Sequence, residues 1–436
     1  MNKWGNHQLA KEYLSHQKSY QTTAVGEALR YLLKHSPFYK EQLKGHHFRI
    51  ENFSSLDDLE HFPTTSKEDL QRQNWDFLCV PKNGIAEYTS TSGTMGEPVT
   101  IALTNNDLQR LTYNEFCSFQ LMDLCQDDII QLLLTLDKQF MAGMAYYRGA
   151  EALEAAKIRT GPGAAVEQIK TMQKLETTAL VAVPSFLLKL AESAVENQIT
   201  LTDLSVKKVL GIGESLFNEN FEPNALYNRI QAAWPIEIFS TYASTEMQTA
   251  FTSCSQKKGL HLNPELLVVE LLDEAGNAVK TGEVGEVTIT TLGVEAMPLL
   301  RFRTGDLCKI DESPCACGRN TPRLSGVLCR KNQMIKLKGT TIYPAAIVEL
   351  LNKEDWIGNY LIEISKDESD LDQISIKIEA KGIDLKEQFD RLKSKFKNSI
   401  RVLPNIELVS ASELMVLQCP NGSRKQHKII DYRKEK

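Results

Sequence analysis

Hydroxyl side chains crowd one short stretch of the chain, YTSTSGTMGEPVTI at residues 88–101. Ser90, Thr91, Ser92 and Thr94 offer short donors there. Gly93 and Gly96 let the backbone turn its N–H groups inward. A loop of this kind can hold a polyphosphate. It is not the common nucleotide loop, because no Gly-Lys-Ser/Thr follows a four-residue gap. The plain alternative is a Ser/Thr-rich turn between two strands, and the loop by itself does not decide between them. Two further polar turns carry similar potential, GIGES at 211–215 and TYASTEM at 241–247.

These loops need elements that place them side by side. Helical periodicity covers 8–45, 105–124, 141–156 and the segments VEQIKTMQKL, FLLKLAESAVENQ and FEPNALYNRIQAAW. Between them lie apolar runs that read as strands, IIQLLLTL (129–136), TALVAVPS (178–185), VKKVLGIGES (206–215) and IEIFSTYASTEM (236–247). KIRTGPG (157–163) ends in a turn. Strands alternating with helices predict a mostly parallel sheet covered on both faces, with ligands at the carboxyl ends of its strands. The polar loops at 89–97, 211–215 and 240–246 fall at such ends. From about 263 short strands joined by Gly, Asp and Asn turns predict an antiparallel β section. From about 331 a charged segment with two strand-like runs and a helix over 384–400 predicts a compact α+β domain.

Composition narrows the class. The chain has 436 residues and a net charge of −6, small for that length. No basic stripe is visible, which argues against a nucleic-acid binder, and the basic C-terminal KIIDYRKEK reads as a solvated tail. No apolar run reaches membrane-spanning length, and the N-terminal MNKWGNHQLAKEY does not look like a signal peptide, so the expected compartment is the cytoplasm. Of nine cysteines, six are scattered and read as core residues or free thiols in a reducing compartment.

Five stretches in order, STSGTMGEP (90–98), GIGES (211–215), TYASTEM (241–247), RFRTGDL (301–307) and RKNQMIKLKGTTIYP (330–344), resemble the adenylate-forming superfamily of acyl-CoA synthetases, adenylation domains and luciferases. The branch most resembled is phenylacetate–CoA ligase, through EAMPLLRFRTGDL and the CACGR that follows. The resemblance implies an α/β fold, with an N-terminal domain over 1–330 and a small mobile α+β C-terminal domain over 331–436. It implies two-step chemistry, in which a carboxylate attacks the α-phosphorus of ATP and a thiol, that of CoA, then displaces AMP. Both transition states gather charge on oxygen, which positioned cations and donors stabilise.

On this resemblance the 90–98 loop holds the β- and γ-phosphates, although Glu97 and Val99 stand where members commonly carry a lysine. Gly213, Glu214 and Ser215 line the adenine site, and Tyr242, flanked by Ala243 and Ser244, stacks on the ring. Thr245 meets the α-phosphate and Glu246 holds Mg²⁺, which prefers hard oxygen ligands. Asp306 and Arg330 bind the ribose. Lys425 aligns with the catalytic lysine of the C-terminal domain, with Arg424 and Lys428 as rivals. Gly339 lines the pantetheine tunnel, and a hinge at Asn332 replaces the usual acidic pivot.

Cys254 and His261 in CSQKKGLH, with Cys315 and Cys317 in CACG, make a closed set of three thiolates and one imidazole for a structural zinc. Free cysteines beside a surface histidine are the plain alternative. For the acid, Phe140, Met144 and Tyr146 offer apolar or aromatic walls and Gly143 leaves space, which suits an aryl-acetic or similar acid. The expected activity is an aryl acid–CoA ligase. The alternatives are a carrier-protein thiol or a deazaflavin as acceptor, and a nucleotide-binding sensor without turnover. Partners are expected to be small molecules, with no nucleic acid and no membrane, and a homodimer stays open.

Overall fold

A computed structural model of the chain describes residues 9–91, 98–337, 340–367, 371–380, 382, 385–400, 402–419 and 426–434. It separates into two compact units, Met1–Pro223 with Tyr227–Gly326, and Asn224–Leu226 with Val327–Lys436. Among the described residues no helix is long and apolar enough to cross a membrane.

The first unit opens with helices α1 (Leu14–His35), α2 (Pro37–Gln42) and α3 (Lys67–Arg72). Ser36 ends α1 and caps α2 by accepting the Tyr39 N–H, and Pro37 suits the first helical position. Ser66 and Asp69 form a reciprocal capping box on α3. A hairpin of β1 (Glu87–Ser90) and β2 (Thr100–Leu103) follows, then α4 (Asn105–Leu121), whose Thr104 and Asp107 repeat the box.

The sheet is then laid down by β3 (Ile129–Leu132), α5 (Met141–Ala152), β4 (Ala156–Arg159), α6 (Ala165–Lys174), β5 (Ala179–Ala182), α7 (Pro184–Glu196), β6 (Lys208–Gly211), α8 (Ala225–Ala233), β7 (Glu237–Ser244), β8 (Thr249–Thr252) and β9 (Leu260–His261). Strands β4, β3, β5, β6 and β7 pair in parallel in that order. The expected parallel sheet is therefore present. Residues 156–159 form its edge strand β4, where the sequence shows the end of a helix at 156 and a stretch ending in a turn, because AKIR is too polar to signal a strand.

The antiparallel β section also forms. Strands β10 (Leu267–Leu272), β11 (Gly285–Thr291) and β12 (Phe302–Cys308) pair in that order. Strands β13 (Ile310–Asp311) and β14 (Arg323–Leu324) return the chain to β9 and extend the large sheet beyond β8.

The second unit carries β15 (Cys329–Arg330), a hairpin of β16 (Ile335–Leu337) and β17 (Thr340–Ile342), then α9 (Pro344–Asn352), β18 (Ile357–Lys366), β19 (Asp372–Ala380), α10 (Lys386–Ser399), β20 (Asn405–Leu408), α11 (Ala411–Gln418) and β21 (Ile429–Asp431). Its sheet runs β20-β19-β18-β21 over a core that includes Ile362, Ile376, Leu392 and Phe396. The proposed hinge is held on this unit, where Arg433 donates to the Asn332 and Met334 carbonyls and pairs with Asp431 and Asp372.

Helices α4 and α5 touch along their length, and Gly149 sets how close they come. A Cβ built there would lie 2.5 Å from Glu115 Cβ and 2.9 Å from the Glu115 carbonyl carbon. Backbone cannot step aside as a flexible side chain could, so Gly149→Ala should cost about 1–3 kcal/mol. A melting temperature within a degree of the parent would show the helices are not locked there.

Candidate functional site

The site is built on the carboxyl end of β7. Alternation along this strand sends Thr241 and Tyr242 to opposite faces. Tyr242 donates from its hydroxyl to Asp306 Oδ2 at 2.8 Å, so the expected adenine and ribose residues meet directly. Asp306 follows Gly305, whose φ of +80° makes the turn that places it. Burial first, and the Asp306 carboxylate second, hold the Tyr242 hydroxyl well above its ordinary range, so it stays a donor.

Two residues past the strand, the Glu246 carboxylate is buried and pairs with Lys67 Nζ at 3.2 Å. The lysine opens α3, and that helix is pinned to the antiparallel section. Thr65 donates its N–H to the Arg301 carbonyl and accepts the Arg303 N–H on β12. Sequence reasoning saw FPTTSKEDL only as a helix start. Its capping pattern was legible, but nothing local to it announces a distant carboxylate partner.

The stems of the phosphate-loop candidate are fixed. The Thr91 N–H donates to the Val99 carbonyl, and the Val99 N–H donates to Thr91 Oγ1 at 2.9 Å. The Ser90 N–H donates to the Gln139 carbonyl, which sets this stem against the start of α5. Ser92, Gly93, Thr94 and Gly96 lie outside the described residues, as do Gly339, Lys425 and its rival Arg424. Gly213 adopts φ +77°, Glu214 Oε2 accepts the Ser185 N–H at the start of α7, and Ser215 donates to the Phe217 carbonyl. Ala243 is exposed, Thr245 is half-buried, and Ser244 Oγ accepts the Met247 N–H. Arg330 belongs to the second unit, and so does Lys428, whose Nζ stands over the Tyr360 ring.

The expected acyl wall needs correction in two places. Gly143 leaves no room, since a Cβ there would lie 2.1 Å from the Thr135 carbonyl oxygen. It lets α5 close on residues 135–136 instead. Tyr146 is a core residue at 2% exposure, edge-on to nothing but packed near Phe119 and beneath α4. Phe140 is exposed and Met144 half-buried.

Behind this wall lies polarity that the sequence did not announce. On α4, Asn114 Oδ1 is buried without a hydrogen-bond partner among the described residues, as are both amide atoms of Gln248, next after Met247, while the buried Glu115 carboxyl has Asn114 and Ser118 as partners. The Tyr146 hydroxyl lies beside Thr241 and Glu115. Burial pushes the Glu115 carboxyl up to about 8, and the Glu265 carboxyl, bonded to Tyr113, up to about 7.

Cys254, His261, Cys315 and Cys317 converge, their ligand atoms all within 4.8 Å of one another. The topology does this, because β9 pairs with β8 and with β14 while the CACG turn precedes β14. Gly318, with φ +86°, lets that turn close. His261 meets Thr321 Oγ1 through Nδ1 at 2.7 Å and turns Nε2 to Cys317 Sγ at 3.4 Å. Cys254 and Cys315 sulfurs are 3.7 Å apart. Hydrogen bonding from Cys254, above all, and from His261 holds the Cys317 sulfur well below the usual thiol range. Three sulfurs and one imidazole nitrogen, backed by a hydroxyl on the other ring nitrogen, fit a closed tetrahedral zinc set.

Paired polar residues at the end of a parallel sheet, with a second α+β unit following, define a nucleotide-using α/β enzyme. The chain belongs to the AMP-binding enzyme family: that family's model matches residues 12–296, and the AMP-binding enzyme C-terminal domain matches 339–433. It is 26% identical over 370 residues to a phenylacetate-coenzyme A ligase of Thermus thermophilus, covering 83% of this chain and 81% of that one. It is 24% identical over 424 residues to a phenylacetate-coenzyme A ligase of Escherichia coli, covering 93% and 94%. In fold it is similar to 2-hydroxyisobutyryl-CoA ligase in the postadenylation state, with a TM-score of 0.85, 22% identity and 98% and 92% of the two chains covered.

The raised carboxyls give a pH prediction. Burial holds the Glu115 and Glu265 protons in the fold up to about 8 and about 7, while the unfolded chain loses them near the ordinary glutamate value of 4.5. The folded state therefore binds more protons across this window, and stability falls as pH rises through it. Urea midpoints should drop from about pH 5 to about pH 8, with a shallower drop in Glu115→Gln. Equal slopes in the two proteins would count against a buried, protonated Glu115.

Proposed function

We propose that the protein activates a carboxylic acid with ATP, forming acyl-AMP and pyrophosphate, and then passes the acyl group to CoA with release of AMP. One observation carries the reading: the Tyr242–Asp306 and Lys67–Glu246 pairs stand together at the end of β7, in a chain of this family. Relatives named phenylacetate-coenzyme A ligase support CoA as acceptor and make an aromatic acid a fitting substrate class.

In this reading Tyr242 stacks on adenine and its hydroxyl steadies Asp306 for the ribose hydroxyls. Gly213, Glu214 and Ser215 border the base, and Thr245 meets the α-phosphate. Glu246 would hold Mg²⁺, which supplies charge neutralisation and orientation of the phosphates. Lys67 provides a cation that the 90–98 loop lacks, since Glu97 and Val99 fill the positions usual for lysine. It pairs with Glu246 before nucleotide arrives, then faces the same phosphates. Lys425 serves the adenylation step from the second unit, Arg330 the ribose and Gly339 the pantetheine path. The sulfur–imidazole cluster holds a structural zinc that clips β8, β9 and the CACG turn together.

The test is a panel of carboxylic acids with ATP, Mg²⁺ and CoA, reading AMP release. No acid-dependent AMP over a wide panel would overturn the reading. Lys67→Met should lower acid-dependent pyrophosphate release by roughly 10²-fold and raise the KM for ATP. It should spare thioester formation from supplied acyl-AMP, as should Lys425→Ala. Loss of both half-reactions in either variant would instead indicate damage to the fold. Elemental analysis should find about one zinc per chain, absent from Cys254→Ser, with chelation lowering Tm by at least about 5 °C. Zinc-free protein of undiminished Tm would remove the metal from the account.

A further inference from the structure

The first unit ends at Gly326. A Cβ built there would lie 1.9 Å from the Phe217 carbonyl oxygen, so this end of the connection is pressed against its own unit. Further on, Lys331–Gln333 form a single 3₁₀ turn, which the Met334 N–H closes on the Lys331 carbonyl at 3.3 Å. Ile335, next in the chain, is fully buried in the core of the second unit. Asn332, the expected pivot, therefore lies in the last turn before the chain enters that core.

Arg433, near the far end of the sequence, closes on this turn. Its Nη2 donates to the Asn332 carbonyl at 2.6 Å and its Nη1 to the Met334 carbonyl at 3.0 Å. Two carboxylates grip the same guanidinium. Asp431 accepts from Nε at 2.9 Å and from Nη2 at 2.7 Å, and Asp372 accepts from Nη1 at 2.8 Å. Asp431 ends β21 and Asp372 opens β19, the two neighbours of β18 in the sheet. None of the three side chains is more than 12% exposed. A planar fork held this way is fixed before it meets the carbonyls, so little freedom is lost in bonding them. The ion pairs alone would tie β21 to β19. The donors given to Asn332 and Met334 do something else, because those carbonyls lie in the connecting turn and outside any strand.

Resting on the acid-activation reading above, we infer that Arg433 is a positioning residue for both half-reactions: it makes the peptide after Asn332 travel with the second unit and confines the turning between half-reactions to Asn332 and the residues before it. Rotation about the Asn332 torsions carries the Asn332 carbonyl along with everything that follows. Both Arg433 bonds survive such a turn, and at most the 3.3 Å Lys331–Met334 bond has to break. Rotation at Gln333 or Met334 would instead pull the Asn332 carbonyl off a buried charge, which is far more costly. In sequence Lys425 comes shortly before β21, and Gly339 shortly after β16. One guanidinium thus holds the strand that follows the adenylation lysine and the turn that leads towards the pantetheine glycine as parts of one body.

The test uses the full chain in three variants: Arg433→Met, Arg433→Lys, and the pair Asp431→Asn/Arg433→Met, which strands one carboxylate fewer. Hydrogen exchange is read by mass spectrometry over residues 331–337 and over β18 and β19. The half-reactions are read apart, as pyrophosphate release with ATP, Mg²⁺ and an accepted acid, and as thioester formation from supplied acyl-AMP and CoA. Arg433→Met should raise exchange over 331–337 by roughly tenfold or more while β18 and β19 keep their protection. Both half-reactions should lose about tenfold in kcat, the cost of misplacing groups that the second unit brings. The KM for ATP should stay within about twofold of the parent, since Tyr242, Asp306 and Glu246 belong to the first unit. Arg433→Lys keeps the charge but not the fork, and should fall between Arg433→Met and the parent on both readings.

Unchanged exchange over 331–337 in Arg433→Met overturns the inference and leaves acid activation standing. Raised exchange with both half-reactions at the parent's rate overturns it as well. Protection lost across β18 and β19 in both Arg433→Met and the paired variant marks Arg433 as a stabiliser of the unit, and this too overturns the inference. Where Arg433→Met alone loses that protection, the paired variant is held to the same two readings. Exchange that rises only over 331–337, in a protein that releases no pyrophosphate with any acid, overturns acid activation and leaves the clamped turn standing.

Discussion

A guanidinium sealed from water has to be met by acceptors on every side, and Arg110 is fully buried. Burial drags its proton affinity down to about 10, partly offset by Asp107 one turn earlier, yet it stays cationic at neutral pH. Four of its N–H groups reach the Leu292, Gln248 and Leu266 carbonyls and Thr249 Oγ1. Asp107 in turn accepts the Glu295 and Ala296 N–H groups while capping its own helix. One helical turn of α4 therefore ties the end of the parallel sheet to the antiparallel section. Breaking one partner of such a set leaves charge uncompensated, which costs far more than a surface pair. The turn from Glu246 to Gln248 is held by this bond from behind, so the position of the site's carboxylate is set in the core.

A second tether acts from the front. Helix α3 reaches Glu246 through Lys67 because residues 65 and 301–303 bond as a short bridge. The segment RFRTGD thus has two jobs, carrying Asp306 to Tyr242 and anchoring the helix that carries Lys67. Arg301 reinforces the second job, with its guanidinium paired to Glu270 and donating to the Phe62 carbonyl. Its φ of 45° shows that the backbone bends against preference to put it there. The two ion-pair systems hold opposite sides of one loop, and neither is on the surface where salt would screen it.

How much of this could be read from the chain follows from what each signal depends on. The parallel sheet was legible because ALVA, KVLG and IEIF are short apolar runs set between amphipathic helices. The edge strand AKIR was not, because an edge needs little burial and so leaves little pattern. Tyr242, Asp306 and Glu246 were picked out by the resemblance of their motifs to a family, and the Cys/His set by its ligand chemistry. Lys67 was hidden inside an ordinary capping pattern, and Gly143 was misread because a glycine can serve a ligand or a neighbouring backbone equally well. The burial of Asn114 and Glu115 was hidden for another reason. On a helix face a polar residue reads as solvent-facing, and only the packing of α5 through Gly149 shows that this face is inside.

That inversion bears on how the site is to be understood. A buried carboxyl beside a buried amide is a poor way to stabilise two helices, since an apolar pair of similar volume would spare the desolvation. The neighbouring Arg110 and Asp107 are equally polar, and their bonds reach two separate sheets. Within one helix, then, the polar residues do different work: Arg110 and Asp107 tie sheet to sheet, while Glu115 is met by Asn114 and Ser118 and packs against α5. The position of Glu246 follows from the first of these jobs, because the Arg110 bond to the Gln248 carbonyl fixes the turn that carries it.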